Sequence, residues 1–393
     1  MKTALPLMQH TTMKNTLNGS SGNQPFQQPN RLGYRSMRRP VHHPIHHPVH
    51  RAHKGLTLIE LMIAMVISIF LLAGVIQMFA ASKQTYRLQD GLARLQENAR
   101  FSLDLIGGEM RLAGYMGCYA SGSANMVNTL NVTDYEMQLD IALSSFESDG
   151  TNYTGSVGSV WTEVPEVIRN AIATIPADQP SSDVLTIRRV ADQGLRLAST
   201  MPNVSADLKA VDDTNDPPED CDILLISDCT RSAIFQTTNI TVPGGGGNIN
   251  IVHNTGICAP GNATKPLIEG SGEPFSTDAS IYKMATTTFF IAPSDIDNAE
   301  GDTVLSLWRK EFNNAPQELV AGVESMQFLY GIDSGTDGIP NYYARAGAQD
   351  LSTAVSIRID LVLNTIDRAT LNGDGLVRRT FGQTIQIRNQ LNN

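Results

Sequence analysis

The chain has 393 residues, of which 41% are hydrophobic, and a formal net charge of −10. This length is sufficient for a large core and one or two domains. The charge is unevenly distributed, because residues 1–55 contain eight basic and no acidic residues, and the remainder therefore carries −18. An acidic remainder argues against nucleic-acid binding, which requires a basic surface.

The first 53 residues are rich in Gln, Asn, Ser and Pro and end in a His/Pro repeat. They contain seven of the eight histidines: His10, His42, His43, His46, His47, His50 and His53. Such a repeat can bind metal, but the composition favours a disordered leader. A start at Met37 would leave 19 residues before position 56. We therefore expect either a mis-assigned start codon or an extended leader.

Residues 56–81 form an apolar run in which Glu60 is the one ionisable side chain. A helix rises about 1.5 Å per residue, so the run would cover roughly 39 Å, more than a hydrocarbon core of about 30 Å. It predicts a transmembrane helix, and the basic flank predicts that its N-terminal end stays in the cytoplasm. A lone carboxylate inside such a helix is costly unless it is paired, so Glu60 indicates a function.

Residues 82–113 keep a helical spacing of apolar side chains, with charged residues between them. The apolar positions are Tyr86, Leu88, Leu92, Leu95, Ala99, Leu103, Ile106 and Met110. This pattern predicts an amphipathic continuation of the same helix. Gly74 and Gly91 are expected weak points, and Gly107-Gly108 or Gly114 is the expected stop.

Residues 114–393 contain short β-branched and aromatic runs bounded by Gly, Pro, Asn or Asp, which predict strands. The runs lie at 184–190, 222–227, 233–241, 286–292, 303–309, 323–332, 354–365 and 384–389. A helical pattern occurs around 161–173, whereas 191–220 and 244–247 are expected to be loops. The predicted fold class is α+β, with a long N-terminal helix followed by a β-rich globular domain.

The four cysteines, Cys118, Cys221, Cys229 and Cys258, all follow the apolar run. An even number on the exported side predicts two disulfides, with free buried thiols as the alternative. The four cysteines can form two disulfides in three ways. We favour 221–229 with 118–258, since the segment between Cys221 and Cys229 could be a strand that doubles back. No cysteine or histidine spacing predicts a zinc site.

The sequence contains no convincing catalytic constellation. His253 is the single histidine after residue 55 and has no nucleophile motif beside it. HExxH is absent, and the glycine run at 244–247 lacks the GK[ST] of a phosphate loop. We therefore expect no enzymatic activity and no cofactor.

One loop offers oxygen ligands at a spacing of four residues, from Asp333, Asp337 and Asn341. Calcium takes six to eight oxygens, and the spacing is only partly that of an EF-hand, because Gly335 occupies a ligand position. An Asx-rich turn is the favoured interpretation and a calcium site the alternative. Residues 371–375 are expected to form a hairpin turn.

The segment KGLTLIEL, residues 54–61, resembles the class III signal of type IV prepilins and type II secretion pseudopilins. The resemblance implies that prepilin peptidase cuts between Gly55 and Leu56 and that Leu56 is then N-methylated. It also implies that Glu60 neutralises the N-terminus of a neighbouring subunit. Four further segments, at 223–238, 307–312, 318–333 and 356–365, resemble the minor pilin family PilW, a type IV pilus assembly protein.

Together these resemblances imply a minor pilin in a priming or tip complex. The implied organisation is a leader at 1–55, a transmembrane half-helix at 56–81, an amphipathic half at 82–113 that packs on the globular domain, and that domain at 114–393. The implied partners are prepilin peptidase, other minor pilins, the major pilin and inner-membrane lipid. The location would be the inner membrane with a cytoplasmic N-terminus, and then the pilus.

Three alternatives remain at this point. The first is a minor pseudopilin of type II secretion. The second, from a different class, is a membrane-anchored exported enzyme or binding protein, which predicts no cleavage after Gly55. The third is an adhesin.

Overall fold

The computed structural model describes residues 55–120, 126–191, 193–201, 207–211, 216–242, 247–256, 258–268, 272–335, 337–347, 349–370 and 373–389. The predicted leader, with its His/Pro repeat and the alternative start at Met37, lies outside these residues. Most of the predicted glycine loop at 244–247 lies outside them as well. The chain divides into two units, one ending at Val66 and the other beginning at Ile67.

The long predicted helix, α1, runs over Leu58–Leu112. It continues through Gly91 and through Gly107, both of which pack closely against the globular domain. A Cβ atom on Gly107 would lie 3.1 Å from Ile385 Cδ1. The prediction of a stop at 107–108 is therefore wrong. The helix ends just before Gly114, whose φ of +73° favours glycine. A second helix, α2, spans Glu166–Ala173.

Nineteen strands occur within the described residues. They are β1 Tyr115–Met116, β2 Tyr119–Ala120, β3 Met126–Asn128, β4 Leu143–Ser148, β5 Tyr153–Gly155, β6 Val184–Val190, β7 Leu195–Arg196, β8 Asp207–Val211, β9 Ile223–Ser227, β10 Ser232–Gln236, β11 Asn239–Thr241, β12 Asn248–Val252, β13 Ser280–Asp297, β14 Thr303–Glu311, β15 Gln317–Ala321, β16 Val323–Ile332, β17 Tyr342–Ala344, β18 Ala354–Asn364 and β19 Arg378–Gln386. Short 3-10 turns lie at Tyr135–Met137, Trp161–Glu163 and Leu351–Thr353.

The strands form four sheets in the described part of the chain. The largest has the order β3-β10-β9-β13-β6-β4-β5, with β7 and β14 also paired to β13 and β15 paired to β14. A four-stranded sheet has the order β17-β16-β18-β19, and a three-stranded sheet has the order β11-β12-β8. The strands β1 and β2 pair with each other. The predicted α+β class is confirmed.

Most of the predicted strands are present, and those at 184–190 and 323–332 match β6 and β16 residue for residue. The predicted strand at 233–241 is present but interrupted, since the chain leaves the large sheet after β10 and enters the three-stranded sheet as β11. Periodicity cannot detect such a change of partner, because both halves have residues that favour strands.

The largest hydrophobic core lies between the second half of α1 and the two main sheets. Leu95, Ala99, Ile106 and Met110 are all buried there. They share the core with strands β16, β18 and β19, which supply among others Phe328, Leu361 and Ile385. Burial of each large apolar side chain contributes about 2 kcal/mol. The predicted amphipathic face is therefore confirmed over this stretch, although Tyr86 is exposed.

Candidate assembly site

The first turn of α1 is closed by a reciprocal pair of hydrogen bonds between Thr57 and Glu60. The Thr57 backbone N–H and hydroxyl each donate to Glu60 Oε2 at 2.9 Å, and the Glu60 N–H donates to Thr57 Oγ1 at 3.3 Å. This arrangement is a capping box, which satisfies backbone donors that have no partner within the helix. The Glu60 side chain therefore caps the first turn of α1, and it is also the first charged side chain of that helix.

The other Glu60 oxygen, Oε1, makes no hydrogen bond within the described residues. A carboxylate can accept bonds on both oxygens, so capping by Thr57 leaves one of them available to a cation. The predicted cleavage point lies just before this turn. Leu56 is 80% exposed, and a Cβ atom on Gly55 would meet nothing within 4 Å.

The apolar run of α1 has no partner in the described chain. Its large side chains are all more than half exposed, among them Ile63, Phe70, Leu72, Ile76 and Phe79. Among the described residues, α1 is the one helix long and apolar enough to cross a membrane. Such a surface is stable in lipid or against other apolar helices.

The second half of α1 is fixed to the globular domain by specific polar contacts as well as by the core. Glu109 and Arg189 form a bidentate pair, with Nε to Oε2 at 2.9 Å and Nη2 to Oε1 at 3.1 Å. Both side chains are at most one-fifth exposed. A paired guanidinium and carboxylate gain from two parallel bonds in this geometry. The contact joins the end of the helix to strand β6.

The cysteines form the two disulfides that the sequence predicts, but the favoured pairing was wrong. The bonds join Cys118 to Cys229 and Cys221 to Cys258, with Cα–Cα distances of 4.8 and 5.5 Å. Cys221 and Cys229 flank β9, which is straight between them. A strand rises about 3.3 Å per residue, so its two ends lie farther apart than the 7 Å that a disulfide can span.

Residues 333–341 form an Asx-rich turn. The buried Asp333 carboxylate accepts from the N–H groups of Gly335 at 2.8 Å and Gly338 at 2.7 Å. Asn341 Oδ1 accepts from the Ser334 N–H at 2.7 Å, and Asp337 Oδ1 accepts from the Ile339 N–H at 2.9 Å. Each of the three candidate residues thus already supports the turn itself, as the favoured interpretation expects. Calcium binding at Asp333, Asp337 and Asn341 stays an untested alternative.

His253 lies in a core rather than in an accessible cleft. It is 1% exposed, its ring lies 5.1 Å from that of Phe235, and neither ring nitrogen has a hydrogen-bond partner among the described residues. Burial, together with the charge of Lys265, lowers the pKa of His253 to about 4. The imidazole is therefore neutral at pH 7 and screened from any substrate in solvent.

This burial makes stability depend on pH. The folded-state pKa of about 4 lies below the ordinary 6.5, so the unfolded chain binds more protons between these values. Stability is therefore expected to fall by about 3 kcal/mol as the pH decreases from 6.5 to 4. His253→Leu should lose this contribution. Urea unfolding of the detergent-solubilised wild type and variant at pH 7 and pH 4.5 measures it.

The comparison of the two proteins is needed because another buried group acts in the opposite direction. Burial raises the pKa of Asp183 to about 6, from an ordinary 3.8, so its contribution to stability increases as the pH decreases through this range. That contribution is common to both proteins and cancels in the difference. Equal losses of stability in the wild type and in His253→Leu would contradict the assignment to His253.

Sequence reasoning missed several residues that shape the molecule. Thr57 had a detectable signal, because Thr-x-x-Glu before an apolar run is the pattern of a capping box. Arg188 had none. It is fully buried and donates to the backbone oxygens of Tyr135 and Ile141 and to the Ser144 hydroxyl. These contacts join segments that are far apart in sequence, as do those of Glu109 with Arg189.

Two family models match the chain. The prokaryotic N-terminal methylation motif matches residues 50–76, and type IV pilus-assembly protein W matches residues 296–389. Three of the four segments that resembled the PilW family lie inside the second match, and 223–238 lies before it. No curated protein and no solved structure matches the chain. The resemblance to a type IV pilin-like protein of the PilW family is thus confirmed.

The two matches fall on different parts of the molecule. The first covers the capping box and most of the exposed apolar run. The second covers the end of β13 and strands β14 to β19, which include the sheet that packs on the amphipathic half of α1. The chain therefore resembles type IV pilin-like proteins related to pilus assembly in these two parts, and its apolar helix is long enough to serve as a membrane anchor.

Proposed function

We propose that this pilin-like protein is a minor pilin that takes part in a priming or tip complex of a type IV pilus. The observation that supports this most is the position of the methylation motif. It coincides with an unpartnered apolar helix whose first turn holds the single acidic residue of the run. Within an apolar run a carboxylate is costly unless it is paired, and capping by Thr57 leaves Oε1 of Glu60 available to a cation.

In this proposal the chain inserts with its N-terminus in the cytoplasm, and its acidic domain lies outside the inner membrane. Prepilin peptidase cuts between Gly55 and Leu56, and Leu56 is N-methylated. The new α-amino group of a neighbouring pilin then meets Glu60. Opposite charges attract far more strongly in a low-dielectric surrounding than in water, so the pair favours assembly in one register.

The other components follow from the same arrangement. Other minor pilins and the major pilin would contact the exposed run of α1, and inner-membrane lipid would cover it before assembly. We also propose that the protein has no enzymatic activity of its own. The burial of His253, the single histidine after residue 55, supports this.

Processing gives the most direct test. The protein extracted from membranes of cells with prepilin peptidase is expected to begin at Leu56 with one added methyl group, as measured by N-terminal peptide mass spectrometry. Gly55→Leu should block cleavage without disturbing the helix, because a side chain there meets no neighbour within 4 Å. The same peptide from peptidase-deficient cells is the control.

The outcome separates the alternatives. An uncut N-terminus in cells with active peptidase would contradict the proposal and favour a membrane-anchored exported binding protein or enzyme. If cleavage occurs, co-purification distinguishes two assemblies. Recovery of type IV pilins supports the proposed role, whereas recovery of type II secretion components alone would replace it with a pseudopilin role.

A further inference from the structure

A cavity of about 330 Å³ opens between the turn before β5, the helix α2 and the segment that leads into β6. All the residues that line it lie between 148 and 182, outside both family matches. Ligand cavities combine aromatic or apolar walls with a few well-placed polar groups, and this volume is at the lower end of their range. It suits one ring-sized ligand.

Two aromatic rings form one wall of this cavity. Tyr153 and Trp161 are stacked, with centroids 4.0 Å apart and an angle of 12° between the ring planes. Trp161 is also held edge-on by the fully buried Phe146 at 5.2 Å. The rings are therefore fixed before any ligand arrives, which lowers the entropic cost of binding. The two rings supply apolar surface to the cavity.

The polar lining consists of several neutral side chains and one positively charged side chain. Arg169 is the only charged residue among those that line the cavity. Its Nε donates to the Val164 carbonyl at 2.9 Å, which fixes the side chain, and its two terminal nitrogens have no hydrogen-bond partner within the described residues. Gln179 contributes an amide, whereas the Thr151 hydroxyl already donates to Asp149 Oδ1 at 2.9 Å. No Asp or Glu is among the lining residues, although Asp149 and Asp183 adjoin them in the chain.

We propose that this cavity binds a sugar ring that carries a carboxylate, such as a terminal uronic acid of a surface glycan. The C–H face of a pyranose is apolar and packs on aromatic rings, whereas its hydroxyl groups need donors and acceptors of the kind that the Gln179 amide provides. The terminal nitrogens of Arg169 form a planar fork that suits a carboxylate.

An extended peptide fits the cavity less well. A peptide would need free backbone partners along a groove, but the Ser181 carbonyl already accepts from Ser325 and Gln327. The Ser182 hydroxyl is likewise engaged with the backbone of Met326. The glycan site does not depend on the proposed role in pilus assembly, and each can fail without the other.

Trp161 provides the readout, because the chain has only one other tryptophan, Trp308. The full chain in detergent, with Trp308→Phe, is titrated with methyl β-glucuronide and with methyl β-glucoside. We expect a saturable change in fluorescence with the glucuronide and weaker binding of the glucoside. Arg169→Gln should weaken glucuronide binding about tenfold and leave glucoside binding unchanged, since a charge-assisted bond is lost.

Two further variants complete the test. Arg94→Gln is the matched control, because Arg94 is an exposed arginine on α1, paired with Asp90, and its loss should change neither affinity. Gln179→Ala should weaken the binding of both sugars several-fold. Thermal melting and disulfide mapping verify that this variant is still folded. The proposal is overturned if the glucuronide gives no saturable change, or if Arg169→Gln retains the preference for it.

Discussion

Glu60→Leu is expected to remove the protein from purified pili while leaving its membrane insertion intact. The apolar run remains long enough to span the bilayer, so insertion does not need the carboxylate. In the proposed role, assembly needs the carboxylate, because the charge of a neighbouring N-terminus would otherwise be left unpaired in an apolar surrounding. Immunoblots of sheared pili and of membrane fractions measure the two quantities separately.

The capping box adds a variant that separates the two roles of this side chain. Glu60→Gln retains an acceptor for the Thr57 N–H, since Gln also completes a capping box, but it has no charge. It should fail in assembly as Glu60→Leu does. Normal assembly of Glu60→Gln together with failure of Glu60→Leu would show that the role of Glu60 is helix capping. Glu97→Gln makes the same change on an exposed part of α1 and is the control.

Replacement of Cys118 and Cys229 with serine is expected to destabilise the globular domain by about 4 kcal/mol, because the bond closes a long loop and restricts the unfolded chain. The sequence separation is 111 residues, and the bond ties the segment after α1 to the turn between β9 and β10. Since folded domains are stable by only about 5–15 kcal/mol, this is a large part of the total. Urea unfolding followed by circular dichroism measures the loss.

The second disulfide is the matched control for the first. Cys221 and Cys258 are separated by only 37 residues, so their replacement should cost less. A non-reducing digest should give peptides linked 118–229 and 221–258. A peptide linked 221–229, or equal stability of wild type and the Cys118→Ser, Cys229→Ser variant, would contradict the assignment.

The features that were predicted well are those that depend on residues close together in the sequence. The apolar run, the acid within it and the β-branched and aromatic runs of β16 and β18 each depend on which residues are neighbours along the chain. The start of α1 has a local signal too, although it was not used. Thr57 and Glu60 carry the pattern of a capping box within four positions, whereas Glu60 was inferred to be important from its charge and from the resemblance to a prepilin signal.

The features that could not be predicted depend on which distant segments meet. The short sequence separation favoured a bond between Cys221 and Cys229, but the extended strand β9 separates these two residues. Cys221 bonds to Cys258 and Cys229 to Cys118 instead. Gly107 looked like the end of a helix, whereas its missing side chain lets α1 approach Ile385. In both cases a local preference was overridden by packing against residues far away in the chain.

The sequence by itself thus determined the long apolar helix, the methylation motif at its start and the class of the fold, because these follow from composition and period over contiguous residues. Only the tertiary structure decided the disulfide pairing, the burial of His253 and the cavity beside Trp161. These depend on long-range contacts between strands and loops, and no local pattern records which of the many pairings is the most stable.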